Sequence, residues 1–285
     1  MMDELFIDRD GKSFSAKDIA DTLRRVGAHD CDHLFIHSDI IFGKTPTAFN
    51  RREYLQILYE VLNNLGVKSL LIPTFTYSFC NHEVYDVRKS RTSMGALNEY
   101  IRKQDGRYRT LDPLLSVSVS HELRHLFDHP SNHSLGEGSA LDTIHHMDGV
   151  KFLFLGIPMG ECFTYLHYIE KMLDVPYRFD LPFEGEILDY EGNRIVTTQS
   201  IHTACYGVKP KEFYHFEDYL EDRGRMKKER LGDKFVECVG EKEVYEEIVQ
   251  KINSDINYFL ERPFTEADLE HRYTKGEDGV RITHC

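Results

Sequence analysis

Apolar positions recur along this chain with two periods, and the alternation between them predicts most of the architecture. Over 14–28 (FSAKDIADTLRRVGA), Ile19, Leu23 and Val26 fall at helical spacing behind Ser15, whose hydroxyl can cap a helix. HLFIHS (33–38) is a short β-prone run ending in polar residues, a buried strand. NRREYLQILYEVLNNLG (50–66) carries Tyr54, Ile57, Leu58, Val61, Leu62 and Leu65 on one face and stops at Gly66, which predicts a second helix. KSLLIPTFT (68–76) follows as a second strand. Strand, helix and strand with short connections form the pattern of a parallel α/β sheet.

Beyond residue 76 the pattern loosens. A long loop precedes a helix around Met94–Lys103, the turn-rich QDGRYRTLDP follows, and another helix is expected around 121–128. VKFLFLGIP (150–158) is an apolar run closed by Gly156 and Pro158, the clearest buried parallel strand, and a helix from about Phe163 to Asp174 begins directly after it. EGEILDYEGNRIVTTQSIH (184–202) alternates around the turn YEGNR and predicts a β-hairpin. Helices are expected over 212–223 and 241–261, with a polar tail at 264–285. No repeat, low-complexity stretch or linker divides the chain. The expected fold class is α/β: one domain over 1–263 with a central, mainly parallel sheet flanked by helices and a β-hairpin insertion.

Composition changes the picture mainly by exclusion. Apolar and aromatic residues are 41% of 285, charged residues 29%, which suits a folded globular chain with a sizeable core. No apolar run approaches the ~20 residues a membrane span needs. The start, MMDELFIDRDGKSFS, has acidic residues where a secretory leader has a basic start and an apolar stretch. Six scattered cysteines with no C-x-x-C are read as reduced thiols, and the expected location is cytoplasmic. Lys and Arg total 35 against 48 Asp and Glu, a net charge of −13. That balance argues against a nucleic-acid partner. The one dense basic segment, RGRMKKER (223–230), is flanked by acidic residues and reads as a solvated helix face. An acidic surface suits a cationic amine.

His167 and Glu170 in CFTYLHYIEKML (162–173) are the first chemical candidates. At i, i+3 on a helix they share a face, with Thr164 one turn back, and the helix starts at the carboxyl end of the 150–158 strand, where ligand sites form in open α/β sheets. An imidazole with a carboxylate neighbour makes a general base whose tautomer is fixed. The bland alternative is a surface pair on an amphipathic helix. His121 and His125 in HELRH, with His129, His133, His145 and His146, raise metal binding, but no third ligand follows at fixed spacing, so no metal is expected. No G-x-S-x-G elbow occurs, and LGEGSA (135–140) matches neither a Walker A nor a dinucleotide fingerprint and is read as a loop.

Several segments in order resemble the aminoglycoside 3-N-acetyltransferase family: FIHSDIIFG (35–43), LIPTFTYSF (71–79), SMGALNEYIRKQDGRYRTLDPLLSVSVS (93–120), GEGSALD (136–142), FLFLGI (152–157) with TYLHYIE (164–170), and VGEKEVYEEI (239–248). The resemblance implies an α/β enzyme that transfers an acyl group from acetyl-CoA or another acyl-CoA to an amine on an amino sugar. It gives His167 the role of base and Glu170 that of orienting it. His37, Ser38, Arg109, Ser116 and Val117 match positions near the coenzyme A phosphopantetheine and phosphate, and Thr76 and Thr164 are carried over as acceptor contacts.

Asp112-Pro113 stands where the family has His-Pro, Arg109-Thr110 where it has Arg-Ser, and Ala140 where it has Pro. The acceptor therefore stays open between an aminoglycoside and a nucleotide-linked amino sugar. For a polyamine, carboxylates should line the pocket, with Asp180, Glu184 and Glu186 as candidates. For a diphosphate, Arg178 and Arg194 are the options. The expected partners are an acyl-CoA and a small-molecule amine, with a homodimer as the assembly considered. Two other classes remain: a metal-dependent hydrolase using 121–146, and a non-catalytic ligand-binding protein of the same fold.

Overall fold

The computed structural model describes residues 4–46, 50–129 and 131–270. The elements are β1 (Phe6–Ile7), β2 (Ser13–Phe14), α1 (Ala16–Arg25), β3 (His33–Ser38), α2 (Arg51–Asn63), β4 (Ser69–Pro73), β5 (Tyr85–Asp86), α3 (Ala96–Ile101), β6 (Arg107–Arg109), β7 (Val117–Ser120), α4 (Arg124–Phe127), α5 (Ala140–His146), β8 (Val150–Leu155), α6 (Tyr165–Met172), β9 (Arg178–Leu188), β10 (Arg194–Ala204), α7 (Tyr214–Asp222), β11 (Met226–Leu231), β12 (Lys234–Gly240), α8 (Glu241–Ser254) and α9 (Glu266–Glu270). Short 3-10 turns punctuate the loops. The expected helix starts hold. The Ser15 hydroxyl accepts from the Asp18 amide while the Asp18 carboxylate accepts from the Ser15 amide, and Asn50 and Glu53 do the same for α2.

Seven strands form the main sheet in the order β11-β12-β8-β3-β4-β7-β6. β3 lies between β8 and β4 and is parallel to both, whereas β12 on β8, β11 on β12, β7 on β4 and β6 on β7 are antiparallel. The expectation of a mainly parallel sheet is corrected to a mixed one with a parallel centre. The cause is connection length: β11 and β12 are joined by a tight turn at Gly232, and a turn of that length can only return the chain antiparallel. The hairpin is also longer than its alternation suggested. β9 and β10 pair over eleven residues each, and β5 joins β9 in a separate three-stranded sheet.

Alternation along the central strands makes a layer on each face. Leu34, Ile36, Leu153 and Leu155 point to the side where α1, α2 and α3 pack, with Leu23, Leu58 and Leu97 in the same cluster. Phe35, Phe152 and Phe154 point to the opposite cluster, shared with Ile144 of α5, Tyr168 and Ile169 of α6, Phe216 of α7 and Ile248 of α8.

Three smaller expectations change. RGRMKKER is not a helix face: it runs from the end of α7 into the edge strand β11, with Met226 and Leu231 buried and Lys227 and Arg230 on an edge that such charges keep from pairing further. The helix around 121–128 is a 3-10 turn over His121–Leu123 followed by one turn of α4. Of the polar tail, 264–270 holds α9 and 271–285 lies outside the described residues.

Candidate active site

The parallel centre of the sheet leaves a crevice at the carboxyl ends of β3, β4 and β8. β3 delivers His37 and Ser38 there, β4 runs on into the Thr74–Tyr77 segment, and β8 ends at Gly156 before the turn into α6. Gly156 has φ +78, and a Cβ there would lie 2.2 Å from the Asp39 carbonyl oxygen, so only glycine lets the two strand ends meet. A cavity of about 340 Å³ opens at this point. Its walls include His37, Ser38, Tyr77, Gly95, Cys162 and Thr164. Three residues picked from sequence, His37, Ser38 and Thr164, are thus brought together.

His37 is 5% exposed and its ring stacks on Phe154 at 5.5 Å and 7°. Burial pushes its pKa down to about 3, so it faces the cavity as a neutral imidazole. The Ser38 hydroxyl donates to Asn98 Oδ1 at 2.9 Å, and Asn98 in turn donates to the Pro73 carbonyl at 3.0 Å, tying α3 to both strand ends. Tyr77 holds φ +53, a left-handed conformation that costs a non-glycine residue about 1 kcal/mol or more.

Thr164 opens α6, which buries Tyr165, Leu166, Tyr168 and Ile169 against the core. His167 and Glu170 lie one turn apart as the spacing predicts, with His167 Nδ1 at 2.8 Å from Glu170 Oε2. An ionised carboxylate only accepts, so Nδ1 carries the proton and Nε2 is the basic nitrogen. After α6 the chain reverses: Asp174 takes φ +50, and the Val175 amide donates to the Glu170 carbonyl at 3.2 Å. The reversal returns Tyr177 and Arg178 to Glu170. The Tyr177 hydroxyl donates to Oε1 at 3.0 Å, and Arg178 Nε lies 2.6 Å from Oε2, an ion pair in which the N–H is not aimed along a hydrogen-bond line.

Glu170 is 2% exposed. Burial alone would raise its pKa, but the Arg178 charge, the His167 hydrogen bond and the Tyr177 hydroxyl outweigh it and hold the carboxyl at about 2. Sequence reading missed Tyr177 altogether, although Val-Pro-Tyr-Arg directly after a helix is a turn signal. It offered Arg178 as an option for a substrate diphosphate, and in the structure Arg178 pairs with Glu170.

The other candidates fall elsewhere. Arg109, 3% exposed, gives Nε to the Thr74 and Ser116 hydroxyls at 3.1 Å each, and gives its remaining donors to the Val87, Ser90 and Thr74 carbonyls. The Ser116 hydroxyl donates to the Thr74 carbonyl at 2.7 Å, and the Val117 amide donates to the Thr110 hydroxyl at 3.0 Å. All three are buried and bonded within the frame, and none is a wall residue of the cavity that holds His37 and Ser38. The Thr76 hydroxyl donates to the Pro113 carbonyl at 2.8 Å, next to the cavity wall. Asp180 is held by Lys171 at 2.6 Å and His202 at 2.9 Å. Glu184 is exposed on β9, and Glu186 pairs with Arg194. None of Asp180, Glu184 or Glu186 is among the wall residues of these cavities.

Acidic side chains gather next to the site instead. Glu161 lines the first cavity and also a neighbouring one of about 600 Å³, whose walls include Glu217, Glu237, Phe213 and Tyr214. Glu237 accepts from the Met159 amide at 3.0 Å and Glu217 from the Gly160 amide at 2.7 Å. Burial and the nearby Glu237 raise the Glu217 pKa. A third cavity, of about 320 Å³, lies between the hairpin and 129–140, with Tyr108, Asp112, Ser139, Ile187 and Gln199 in its wall. Among the described residues no three His, Cys, Asp or Glu side chains converge as a metal site. His121 and His125 sit on the broken 3-10/α4 turn, and His125 Nδ1 lies against the Glu122 carbonyl at 2.9 Å. Among the described residues no helix is long and apolar enough to cross a membrane.

A family profile described as aminoglycoside 3-N-acetyltransferase matches residues 47–253. Among solved structures, the aminoglycoside acetyltransferase AAC-VIa bound to sisomicin superposes with a TM-score of 0.70 at 18% identity, covering 85% of this chain and 98% of that one. AAC-IIIb in a binary complex with CoASH gives 0.67 at 19%, covering 87% and 98%. The YokD protein from Bacillus subtilis gives 0.67 at 16%, covering 85% and 94%. At these identities the structures share the fold. No curated protein sequence matches significantly.

Proposed function

The chain belongs to the aminoglycoside 3-N-acetyltransferase family, and we propose that it moves an acetyl group from acetyl-CoA to an amino group of a polycationic aminoglycoside, with His167 as the base. Membership makes it an N-acyltransferase with an acyl-CoA as co-substrate. The observation that carries the assignment of roles is the His167–Glu170 pair: a 2.8 Å contact to a carboxylate held ionised in a buried site, one turn from a residue that lines the cavity.

The chemistry needs a base because an amine attacks a thioester only when its nitrogen lone pair is available. As the C–N bond forms and the C–S bond breaks, the amine proton passes to His167 Nε2, and Glu170 stabilises the imidazolium at Nδ1. The proton then leaves with the thiolate as coenzyme A thiol, and the amide is the second product. The cationic acceptor is favoured by Glu161 and Glu217 beside the site, where Glu237 is matched by Lys228 at 2.8 Å. Arg178 and Arg194, the residues considered for a substrate diphosphate, are engaged by Glu170 and Glu186.

The test is thiol release from acetyl-CoA with a panel of aminoglycosides and nucleotide-linked amino sugars. Wild type should release thiol with the aminoglycosides. His167→Ala should lower kcat by ~10²–10⁴-fold while acetyl-CoA binding stays within about twofold by calorimetry. Turnover by His167→Ala near that of wild type would remove His167 as the base, and a folded wild type inert with every amine would remove acyl transfer.

A further inference from the structure

We propose that Arg178 is a positioning residue of this site: from the first residue of β9 it holds the Glu170 carboxylate so that His167 keeps its proton on Nδ1 and presents Nε2 as the base. The inference rests on the reading of His167 above and goes beyond it, because a helix pair alone does not explain why a carboxylate this deeply buried stays ionised.

The groups around Glu170 come from three elements. His167 faces it from the preceding turn of α6, Tyr177 from the reversal after the helix, and Arg178 from β9. Arg178 is the only cation among these when His167 is neutral. Without it, the buried carboxylate is left with the imidazolium as its only cationic partner among these groups, so His167 holds a proton on both nitrogens and loses the basic Nε2. The arginine is mounted for the purpose. Its Nη1 donates to the His202 carbonyl at 3.2 Å on β10, and His202 pairs with Asp180, which also takes Lys171. The charge of Lys171, the residue after Glu170 in α6, is already matched by Asp180 at 2.6 Å, with His133 Nδ1 3.9 Å from that carboxylate. The Tyr177 ring packs on Phe264 at 5.6 Å, which fixes the reversal from outside. Arg178 and Tyr177 both contact Glu170, and through it they bear on His167.

Removing the guanidinium leaves the Glu170–His167 attraction unopposed, so His167 should hold its proton to higher pH. Arg178→Gln should move the acidic limb of the kcat profile up by about one unit, roughly a tenfold loss at pH 6, with recovery toward pH 9. KM for both substrates should stay within about twofold, since neither is touched. Arg178→Lys, which keeps the charge, should restore most of the profile, and Tyr177→Phe should shift it in the same direction by less. Thermal unfolding of each variant checks folding.

A second readout needs no turnover. In ¹⁵N-histidine spectra of the wild type, with His167 assigned by its loss in His167→Ala, Nδ1 should be the protonated nitrogen of the neutral ring. An unmoved pH profile in folded Arg178→Gln, or a neutral His167 protonated at Nε2 in the wild type, would overturn the assignment. Wild type inert toward every amine would instead overturn the acyl-transfer reading, and the His167 titration read from the same spectra in wild type and Arg178→Gln would still decide the role of Arg178.

Discussion

Replacing Arg109 by alanine separates two accounts of one residue. Its place in the 93–120 motif implies a contact with the acyl donor's phosphate, and the loss should then raise the KM for acetyl-CoA and leave the fold alone. The geometry implies the reverse. Arg109 bridges β4, β6 and the 87–90 loop, with Nη1 at 2.6 Å from the Ser90 carbonyl and 3.4 Å from that of Val87, and its guanidinium lies 5.1 Å from the Tyr85 ring centre. The Thr74 carbonyl keeps the Ser116 hydroxyl when the arginine is gone, but those of Val87 and Ser90 lose this donor. Each buried acceptor left unsatisfied costs about 1–3 kcal/mol. Relief of the cation's own desolvation offsets part of that, and the space left by the side chain adds to it. Arg109→Ala should therefore lose about 3–5 kcal/mol in guanidinium unfolding, roughly 6–15 °C in Tm for a chain of this size. The KM for acetyl-CoA of the fraction that stays folded should hold within about threefold. A Tm within about 2 °C of wild type together with a KM raised about tenfold would restore the phosphate contact and refute the structural one.

Two further outcomes follow from the strand ends and from burial. Gly156→Ala should cost at least ~2 kcal/mol, since its Cβ would meet Asp39 O at 2.2 Å and Phe42 Cε1 at 2.7 Å; an unchanged urea midpoint would show that the crevice tolerates the shift. Stability should fall on acidification in two stages. His37 and His202 are held neutral by burial, down to about 3 and about 4, so the unfolded chain takes up protons first and stability declines from about pH 6.5 downward. Glu170, depressed to about 2, contributes roughly 3 kcal/mol above its unfolded pKa, which is lost as pH falls from about 4.5 through 2. Unfolding free energies that stay flat from pH 7 to 4 would contradict the first stage.

What was legible in the sequence was local. Period and caps located β3, α2, β4, β8 and α6, and the i, i+3 spacing put His167 beside Glu170, because a helix converts sequence distance directly into spatial distance. The rest of the site is set by pairings that no local period encodes. β9 begins at Arg178, six residues before the alternation is readable, because Arg178 and Asp180 occupy a covered face next to α6, where polar side chains are partnered by Glu170 and Lys171. The same effect governs the acidic residues. Glu161, Glu217 and Glu237 are scattered over 76 residues and meet only because β12 pairs with β8 and α7 packs beside the turn that follows β8, whereas the carboxylates clustered in sequence at 180–186 are spread along one hairpin strand. Density of charge along the chain is therefore a poor guide to a charged pocket in a mixed sheet. The informative signals are the buried strand ends, which fix where the crevice must be, and the turn after the helix, which fixes what returns to it.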